Sequence, residues 1–199
     1  MPILDLLQTI AALPPVMHLE LHGAHYSKTY RHTLSLPANS ATVSRELSDD
    51  LYVPHDILEL ELQPFYQFAN GIKLFHNETD NDDSGKYFIP SIEFYPLERL
   101  ANETATLRSS VMSMVNMGGE MPIYADGIAI GEAVATGNYF VLIRAGSLAG
   151  KIVYADQDPD INYWCGKPFA DSLTHLISLI ATPPHTGLDR ICGASRIWF

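Results

Sequence analysis

The segment that most constrains the fold is FYQFANGIKLF, residues 65–75, because it contains a complete transition from helix to strand. Its first half places apolar residues at helical spacing, and its second half resumes with the apolar character of a strand. Between the halves, Asn70 and Gly71 supply the left-handed backbone conformation that ends a helix, since glycine has no Cβ to clash. The segment therefore predicts a packing element, and none of its residues is an obvious acid, base or nucleophile.

The composition is typical of one globular domain. The chain has 199 residues, of which 47% are hydrophobic and 18% charged, and this length is enough to bury a sizeable core. No apolar run reaches the roughly 18–20 residues that a membrane helix needs. The first fifteen residues lack the basic start of a secretory signal, so we expect a cytoplasmic protein. Cys165 and Cys192 are too sparse for a disulfide framework or a zinc site.

The net charge of −11 is concentrated in one third of the chain. Residues 44–103 carry thirteen Asp and Glu against four Lys and Arg, whereas the segments on either side are nearly balanced. An acidic face of this kind repels nucleic acid and attracts basic proteins. The alternative is a solvated surface that keeps the protein soluble, and the charge alone favours that alternative.

Hydrophobic periodicity and the positions of proline and glycine predict an α+β fold. Helices are expected at residues 2–13, from 54 to 69 with a kink at Pro64, at 96–117 and at 169–181. Strands are expected in a hairpin formed by residues 16–22 and 28–36, at 72–75, at 87–92, and as a run between 123 and 154. Residues 37–44 are expected to be a loop.

The N-terminal histidines are the first candidate for a metal site. His18, Glu20 and His22 share one face if their segment is a strand, and His25 and His32 are near in sequence; imidazole and carboxylate ligands suit a transition metal. Histidines on the open face of a hairpin are far more often simply solvated, and the sequence provides no further ligand. We therefore expect no metal and no other cofactor.

Two acidic segments share features with calcium-binding loops. Residues 80–85 place carboxylates at positions one and three and a glycine at position six, but Ser91 occupies the position of the closing glutamate. Residues 156–160 contain three aspartates, but Ile161 replaces the required glycine. The expectation is that neither segment binds calcium.

Enzyme signatures are missing from the sequence. It has no Gly-x-Ser-x-Gly elbow, no phosphate-binding glycine-rich loop, no His-Glu-x-x-His and no Cys-x-x-Cys. The sequence does not test for a catalytic triad assembled from distant residues, because such groups meet only in three dimensions. The expectation is a protein without catalytic activity.

The order of elements and four short motifs resemble the SUKH superfamily. Its eukaryotic members include yeast cell-wall assembly regulators, and its bacterial members are largely toxin-immunity proteins. The four motifs are an aromatic helix running into Asn-Gly, a Gly-Asn-Tyr strand, a Gly-x-Val-Tyr strand followed by acidic residues, and a final helix with an aromatic start. The matching residues are Phe68, Asn70, Gly71, Gly137, Asn138, Tyr139, Gly150, Val153, Tyr154, Asp156, Asp158, Phe169 and Leu173. The sequence departs from the family at Gln157, where histidine is frequent.

The resemblance implies a mixed or antiparallel sheet flanked by helices, with no catalysis. It covers residues 46–181, so residues 1–45 are interpreted as an N-terminal extension of a helix and a hairpin. Residues 182–199 are interpreted as a tail that docks on the domain, because its last three residues are too apolar to remain in water.

The leading functional hypothesis is an immunity protein that binds and neutralises a cognate toxin, commonly a basic nuclease, as a monomer or weak homodimer. Under this hypothesis, the protein makes no direct contact with nucleic acid or with a membrane. The expected contact residues are Glu78, Asp80, Asp82, Asp83, Asp156, Asp158 and Asp160. One alternative is an intracellular adaptor or regulator of the same fold, and another is a metal-binding protein or enzyme that uses the N-terminal histidines.

Overall fold

The computed structural model describes most of the chain, namely residues 1–15, 19–21, 24–26, 30–45, 47, 51–76, 91–134, 136–155 and 167–195. The helices are α1 (Ile3–Ala11), α2 (Ser40–Arg45), α3 (His55–Ile57), a π turn (Leu58–Leu62), α4 (Gln63–Phe68), α5 (Leu97–Asn116), α6 (Leu173–Ala181) and α7 (Thr186–Ser195). The strands are β1 (Leu19–Leu21), β2 (Ala24–Tyr26), β3 (Arg31–Leu34), β4 (Ile72–His76), β5 (Ile92–Phe94), β6 (Ile128–Ala133), β7 (Asn138–Leu142) and β8 (Ile152–Ala155).

The main sheet has six strands in the order β3-β4-β5-β6-β7-β8, and every neighbouring pair is antiparallel. This arrangement confirms the α+β prediction. The predicted pairing of residues 16–22 with residues 28–36 is wrong, because β1 forms its hairpin with β2 at Ala24–Tyr26. The second predicted strand, within residues 28–36, instead pairs with β4 and forms one edge of the main sheet. The short helix α2 (Ser40–Arg45) overlaps residues 37–44, which were expected to be a loop.

The inner face of the sheet is a row of large apolar side chains interrupted by one glycine. The residues directly opposite one another from β4 to β8 are Ile72, Phe94, Gly131, Phe140 and Tyr154. Because Gly131 has no side chain, the rings of Phe94 and Phe140 stack across it, with centroids 6.1 Å apart. The ring of Phe65 from α4 contacts Phe94 on this face, so the helical layer with α4 covers the aromatic row.

The transition between α4 and β4 follows the predicted pattern. The helix ends at Phe68, and Gly71 has a φ of +103°, a conformation that L side chains rarely adopt. The side chain of Asn70 has a second role, because its Oδ1 accepts a hydrogen bond from the backbone N of Leu97 at 2.8 Å and so caps α5. The π turn (Leu58–Leu62) ends two residues before Pro64, the position at which a kink was expected.

The terminal elements pack on the same core. α1 contacts α4, α6 and β3, and α7 contacts α6. The guanidinium of Arg190 lies 4.1 Å from the centre of the Phe169 ring and donates a hydrogen bond to the Phe169 carbonyl. The three apolar residues at the very end of the chain lie outside the described residues. None of the helices in the described ranges has both the length and the apolar character needed to cross a bilayer.

Candidate functional site

All seven carboxylates predicted to contact a partner lie outside the described residues. They fall in residues 77–90 and 156–166, and they are Glu78, Asp80, Asp82, Asp83, Asp156, Asp158 and Asp160. The neighbouring strands are described, and they define where the chain leaves the sheet to enter each segment.

The chain enters both acidic segments from the same end of the sheet, here called the loop end. Four residues that stand opposite one another mark it across β4 to β7, namely Leu74, Ile92, Ala133 and Asn138. β4 continues from Leu74 to His76, and in β8 the last residue, Ala155, is opposite Tyr139, the neighbour of Asn138. The starting points of the two segments therefore share one edge of the molecule.

The distance between these starting points suits a single partner. β4 and β8 are four strand spacings apart, and at about 4.8 Å per spacing this places the two strands roughly 19 Å from each other. A standard protein interface buries about 800 Å² on each side, a patch about 30 Å across. Segments that start at both positions fall within one such patch.

The predicted N-terminal histidine set is only partly described. His18 and His22 lie outside the described residues, as does the calcium-like segment at residues 80–85. Within the described ranges, no group of three His, Cys, Asp or Glu side chains is placed to hold a metal ion.

His32 packs against Phe75 next to the loop end. Its Nδ1 accepts a 3.4 Å hydrogen bond from the backbone N of Phe75, which has a φ of +54°. The Phe75 ring also contacts the imidazoles of His32 and His185, with centroid distances of 4.9 and 5.2 Å. Burial lowers the pKa of His32 to about 4, and the charge of His185 acts in the same direction.

The outer face of the sheet carries a cluster of charged and aromatic side chains, here called the outer-face network. Its members are Lys73, Glu93, Tyr95, Arg99, Glu103, Glu132 and Tyr139. Four of them lie directly opposite one another in β4 to β7, namely Lys73, Glu93, Glu132 and Tyr139. Arg99 and Glu103 come from α5, so the helix and the sheet build the network together.

Arg99 is the central cation of the outer-face network. Its guanidinium lies 3.2 Å from the Glu93 carboxylate, 2.9 Å from that of Glu103 and 3.8 Å from that of Glu132. The guanidinium also lies 4.4 Å from the centre of the Tyr95 ring, within the range of a cation–π interaction. The guanidinium group of Arg99 is thus shared among three carboxylates.

Glu132 has an electrostatically unfavourable position in the outer-face network. It stands directly opposite Glu93 in the neighbouring strand, and like charges in such a pair are destabilising. Burial raises the pKa of Glu132 above its ordinary value, the charges of Glu93 and Glu103 raise it further, and Arg99 opposes the shift. A carboxylate perturbed in this way is a candidate for a functional group.

The hydroxyl of Tyr95 is the second unusual group in the outer-face network. The residue is fully buried, and no described residue forms a hydrogen bond of good geometry with the hydroxyl. Its contact with the Glu132 carboxylate nevertheless acts as a hydrogen bond on that group and lowers the pKa of the carboxyl. Burial raises the pKa of Tyr95, followed by the charges of Glu132 and Glu103. The hydroxyl is therefore neutral and keeps both donor and acceptor capacity.

The outer-face network was not predicted from the sequence. The signal was present in part, because Lys73 and Glu93 are polar residues between apolar ones in short strands, and Arg99 and Glu103 have the i, i+4 spacing of a helical ion pair. What the sequence did not provide is the register that places Glu93 opposite Glu132.

A groove of about 640 Å³ lies elsewhere, between the start of α1, the π turn and α6. Its two titratable side chains are engaged within the fold. Glu61 accepts hydrogen bonds from the backbone N and the hydroxyl of Thr174 at 2.8 and 2.9 Å, and His175 accepts one from the backbone N of Asp171. These bonds hold the beginning of α6, a structural role.

Comparison with known proteins adds no family to this description. No family model matches the chain, and no curated protein matches it significantly. The resemblance to the SUKH superfamily therefore stays a prediction from the motifs.

Proposed function

We propose that this protein is a non-catalytic immunity protein that binds and neutralises a cognate bacterial toxin with a basic surface, such as a nuclease. Contact is made at the loop end of the sheet through the acidic residues predicted from the sequence. One observation carries the proposal: the chain enters both acidic segments from the same end of an antiparallel sheet. A single partner can therefore meet both segments at once.

The distribution of charge supports a basic partner. The chain has a net charge of −11, and residues 44–103, which include the first acidic segment, contribute most of it. Nucleases bind phosphate with basic residues, so a complementary acidic surface attracts them and competes with the nucleic acid. Complementary charge also accelerates association, and this suits an inhibitor that must act before its target does.

Charge reversal in the first segment tests the proposal. The partner to use is the product of the adjacent gene, and the variant is Asp80→Lys with Asp82→Lys. Losing paired contacts at an interface costs about 2–5 kcal/mol, mainly through faster dissociation, so affinity should fall by roughly 30-fold to several thousand-fold. Surface plasmon resonance measures both rate constants, and association of the unaltered protein should slow as salt is added.

A matched control reverses two charges at the opposite end of the sheet. Glu120→Lys with Asp126→Lys changes the net charge equally, and both residues are exposed and lie between α5 and the first residue of β6. This control should keep the affinity within a few-fold of the unaltered protein. Equal weakening by both double variants would contradict a contact at the loop end. If the unaltered protein fails to bind the neighbouring gene product, the adaptor hypothesis is favoured instead.

A further inference from the structure

We propose that the last turn of α5 and the loop after it bind Cu(I) through the thioether sulfurs of Met114, Met117 and Met121. These three residues are here called the thioether site. The inference goes beyond the proposed function, because it concerns a different part of the molecule and a different class of ligand. It also differs from the imidazole, carboxylate and thiolate ligands for which the sequence predicts no metal.

Methionine is concentrated in this part of the chain. Four of the six methionines lie within residues 112–121, which read MSMVNMGGEM. Met112, Met117 and Met121 are 48%, 80% and 56% exposed, so most of these side chains face water rather than the core. Thioether sulfur is a soft ligand, and soft ligands select Cu(I) over the harder divalent ions.

The last turn of α5 places Met114 and Met117 on one face. Residues three apart are neighbours on a helix surface, with Cβ atoms about 5–6 Å from each other. Met117 still completes the helical turn, because its backbone N donates to the carbonyls of Ser113 and Met114 at 3.2 and 3.0 Å. Three rotatable bonds on each side chain let the two sulfurs approach one ion. Met112 precedes Met114 by two residues, a spacing that does not share a face.

Two glycines fold the chain back over Met114. Gly118 has a φ of +96°, and the backbone N atoms of Gly118 and Gly119 donate to the carbonyls of Val115 and Met114 at 3.0 and 3.1 Å, the Schellman pattern. A Cβ at Gly119 would lie 3.5 Å from the Met114 sulfur, so this side chain packs against the turn. Met121 follows Gly119 by two residues, at most about 7 Å further along the chain. Its thioether is therefore within reach of an ion held by Met114 and Met117.

The thioether site lies away from the loop end of the sheet. The Arg99 guanidinium is 3.8 Å from the Glu132 carboxylate, whereas Thr104, further along α5, accepts a 3.2 Å hydrogen bond from the backbone N of Ala129. Since β6 reaches the loop end at Ala133, α5 runs in the opposite direction and carries the thioether site to the far side. A partner bound at the loop end leaves this site open.

The surroundings of the thioether site suit a cation. The three sulfurs are neutral, the exposed Glu120 lies between Met117 and Met121, and the whole chain has a net charge of −11. Among the described residues, no set of three His, Cys, Asp or Glu side chains is placed to hold a metal ion. A harder divalent ion therefore finds no competing ligand set in the described ranges.

The first test follows the methionine methyl groups individually by NMR. Protein labelled with methyl-13C methionine gives a signal for each of the six methionines, and silver nitrate in chloride-free buffer supplies Ag(I), a redox-stable ion as soft as Cu(I). The signals of Met114, Met117 and Met121 should shift together and saturate at one affinity. Because the thiols of the two cysteines also bind silver, the methyl signals rather than the total uptake measure the site.

A comparison of Met114 with Met1 distinguishes a site from general attraction of silver to sulfur. Met114 is partly buried, whereas Met1 is 68% exposed. Silver bound without a site would shift the methyl signals in the order of their exposure, with Met1 before Met114. That order, or the absence of a saturable shift at any member of the thioether site, would overturn the proposal.

Leucine substitutions remove the sulfur and conserve the volume, a change that cores tolerate. Loss of a group that only orients a metal ligand costs about 10–100-fold in affinity, so Met114→Leu, Met117→Leu and Met121→Leu should each weaken binding by at least about tenfold. Met112→Leu is the matched control on another face of α5 and should leave the affinity unchanged. Equal weakening by Met112→Leu and Met114→Leu would contradict the site.

The last test establishes the class of metal. Cu(I), kept reduced by ascorbate in the absence of oxygen, should shift the same three methyl signals as Ag(I). Zn(II) should leave them in place, because zinc binds nitrogen, oxygen and thiolate ligands. Equal shifts with Zn(II), or none with Cu(I), would overturn the assignment. None of these measurements uses the neighbouring gene product, so the thioether site and the immunity function are decided separately.

Discussion

Gly131 is the position where one added methyl group should do the most damage to this fold. It lies in the middle of the inner aromatic row, between the stacked rings of Phe94 and Phe140. β6 also contains an extra residue here relative to β7, because Ala129 and Gly131 are opposite consecutive residues of that strand. Gly131 also lies against the backbone of β5 at Glu93 and Phe94.

The loss of stability expected for Gly131→Ala follows from the atoms that lie close to the position of the added Cβ. A Cβ at this position would overlap the Glu93 carbonyl oxygen, whereas real Cβ contacts stay above 3.0 Å. The obstructing atom is backbone, so β5 and β6 must move apart to admit the added methyl group. Overpacking of this kind costs about 1–3 kcal/mol, and disturbing the Phe94–Phe140 stack adds about 0.5–1.5 kcal/mol. We expect a loss of about 2–4 kcal/mol in the free energy of unfolding.

Urea unfolding and amide hydrogen exchange measure this effect. The melting temperature should fall by about 5–15 °C for a chain of this size, and the amide of Tyr95, bonded to the Ile130 carbonyl across β5 and β6, should exchange faster. Gly118→Ala is the control, because its Cβ meets nothing within 4 Å and only its φ of +96° opposes the change. The assigned register of β5 and β6 would be refuted by either of two results for Gly131→Ala. One is a urea midpoint equal to that of the unaltered protein, and the other is unchanged amide exchange at Tyr95.

Two further predictions concern local backbone and pH. Gly71→Val should lower the free energy of unfolding by about 1–3 kcal/mol, because Gly71 has a φ of +103° and its Cβ would lie 3.1 Å from the Phe94 carbonyl oxygen; an unchanged thermal melt would contradict this. His32 has a pKa of about 4 in the fold against 6.5 as the ordinary value, so the unfolded chain binds the proton first and stability should fall between pH 6.5 and pH 4. Because the side chain is partly exposed, we expect a loss of about 1–2 kcal/mol in the free energy of unfolding. The loss is measured by comparing the pH dependence of stability of the unaltered protein with that of His32→Gln.

The sequence was informative wherever local chemistry decides the structure. Asn70-Gly71, Pro96 and Gly118 mark the ends of helices, because each acts through its own backbone, and the structure places helix ends next to all three. The run of strands after residue 123 was recognisable for the same reason: apolar segments of strand length alternate with turn residues. The α+β class followed from these local signals.

The sequence was less informative where pairing between distant segments decides the structure. Arg31–Leu34 was assigned to a hairpin because its alternation matches the nearest strand, but it pairs with β4 about forty residues away. Periodicity states which residues share a face and does not state which strand is the neighbour. The outer-face network was missed for this reason, since it requires the register of β5 and β6 and the position of α5.

The inner and outer faces of the sheet are linked through that register. The stack of Phe94 and Phe140 across Gly131 determines how β5 and β6 align, because a shift by one residue would turn the aromatic rings to the outer face. The same alignment forces Glu93 opposite Glu132, and Arg99 offsets only part of the repulsion. Core packing therefore explains why the two carboxylates are adjacent, but it does not require that both be acidic. A neutral residue at position 132 would remove the repulsion and leave the stack intact, so we expect Glu132→Gln to keep the register of β5 and β6.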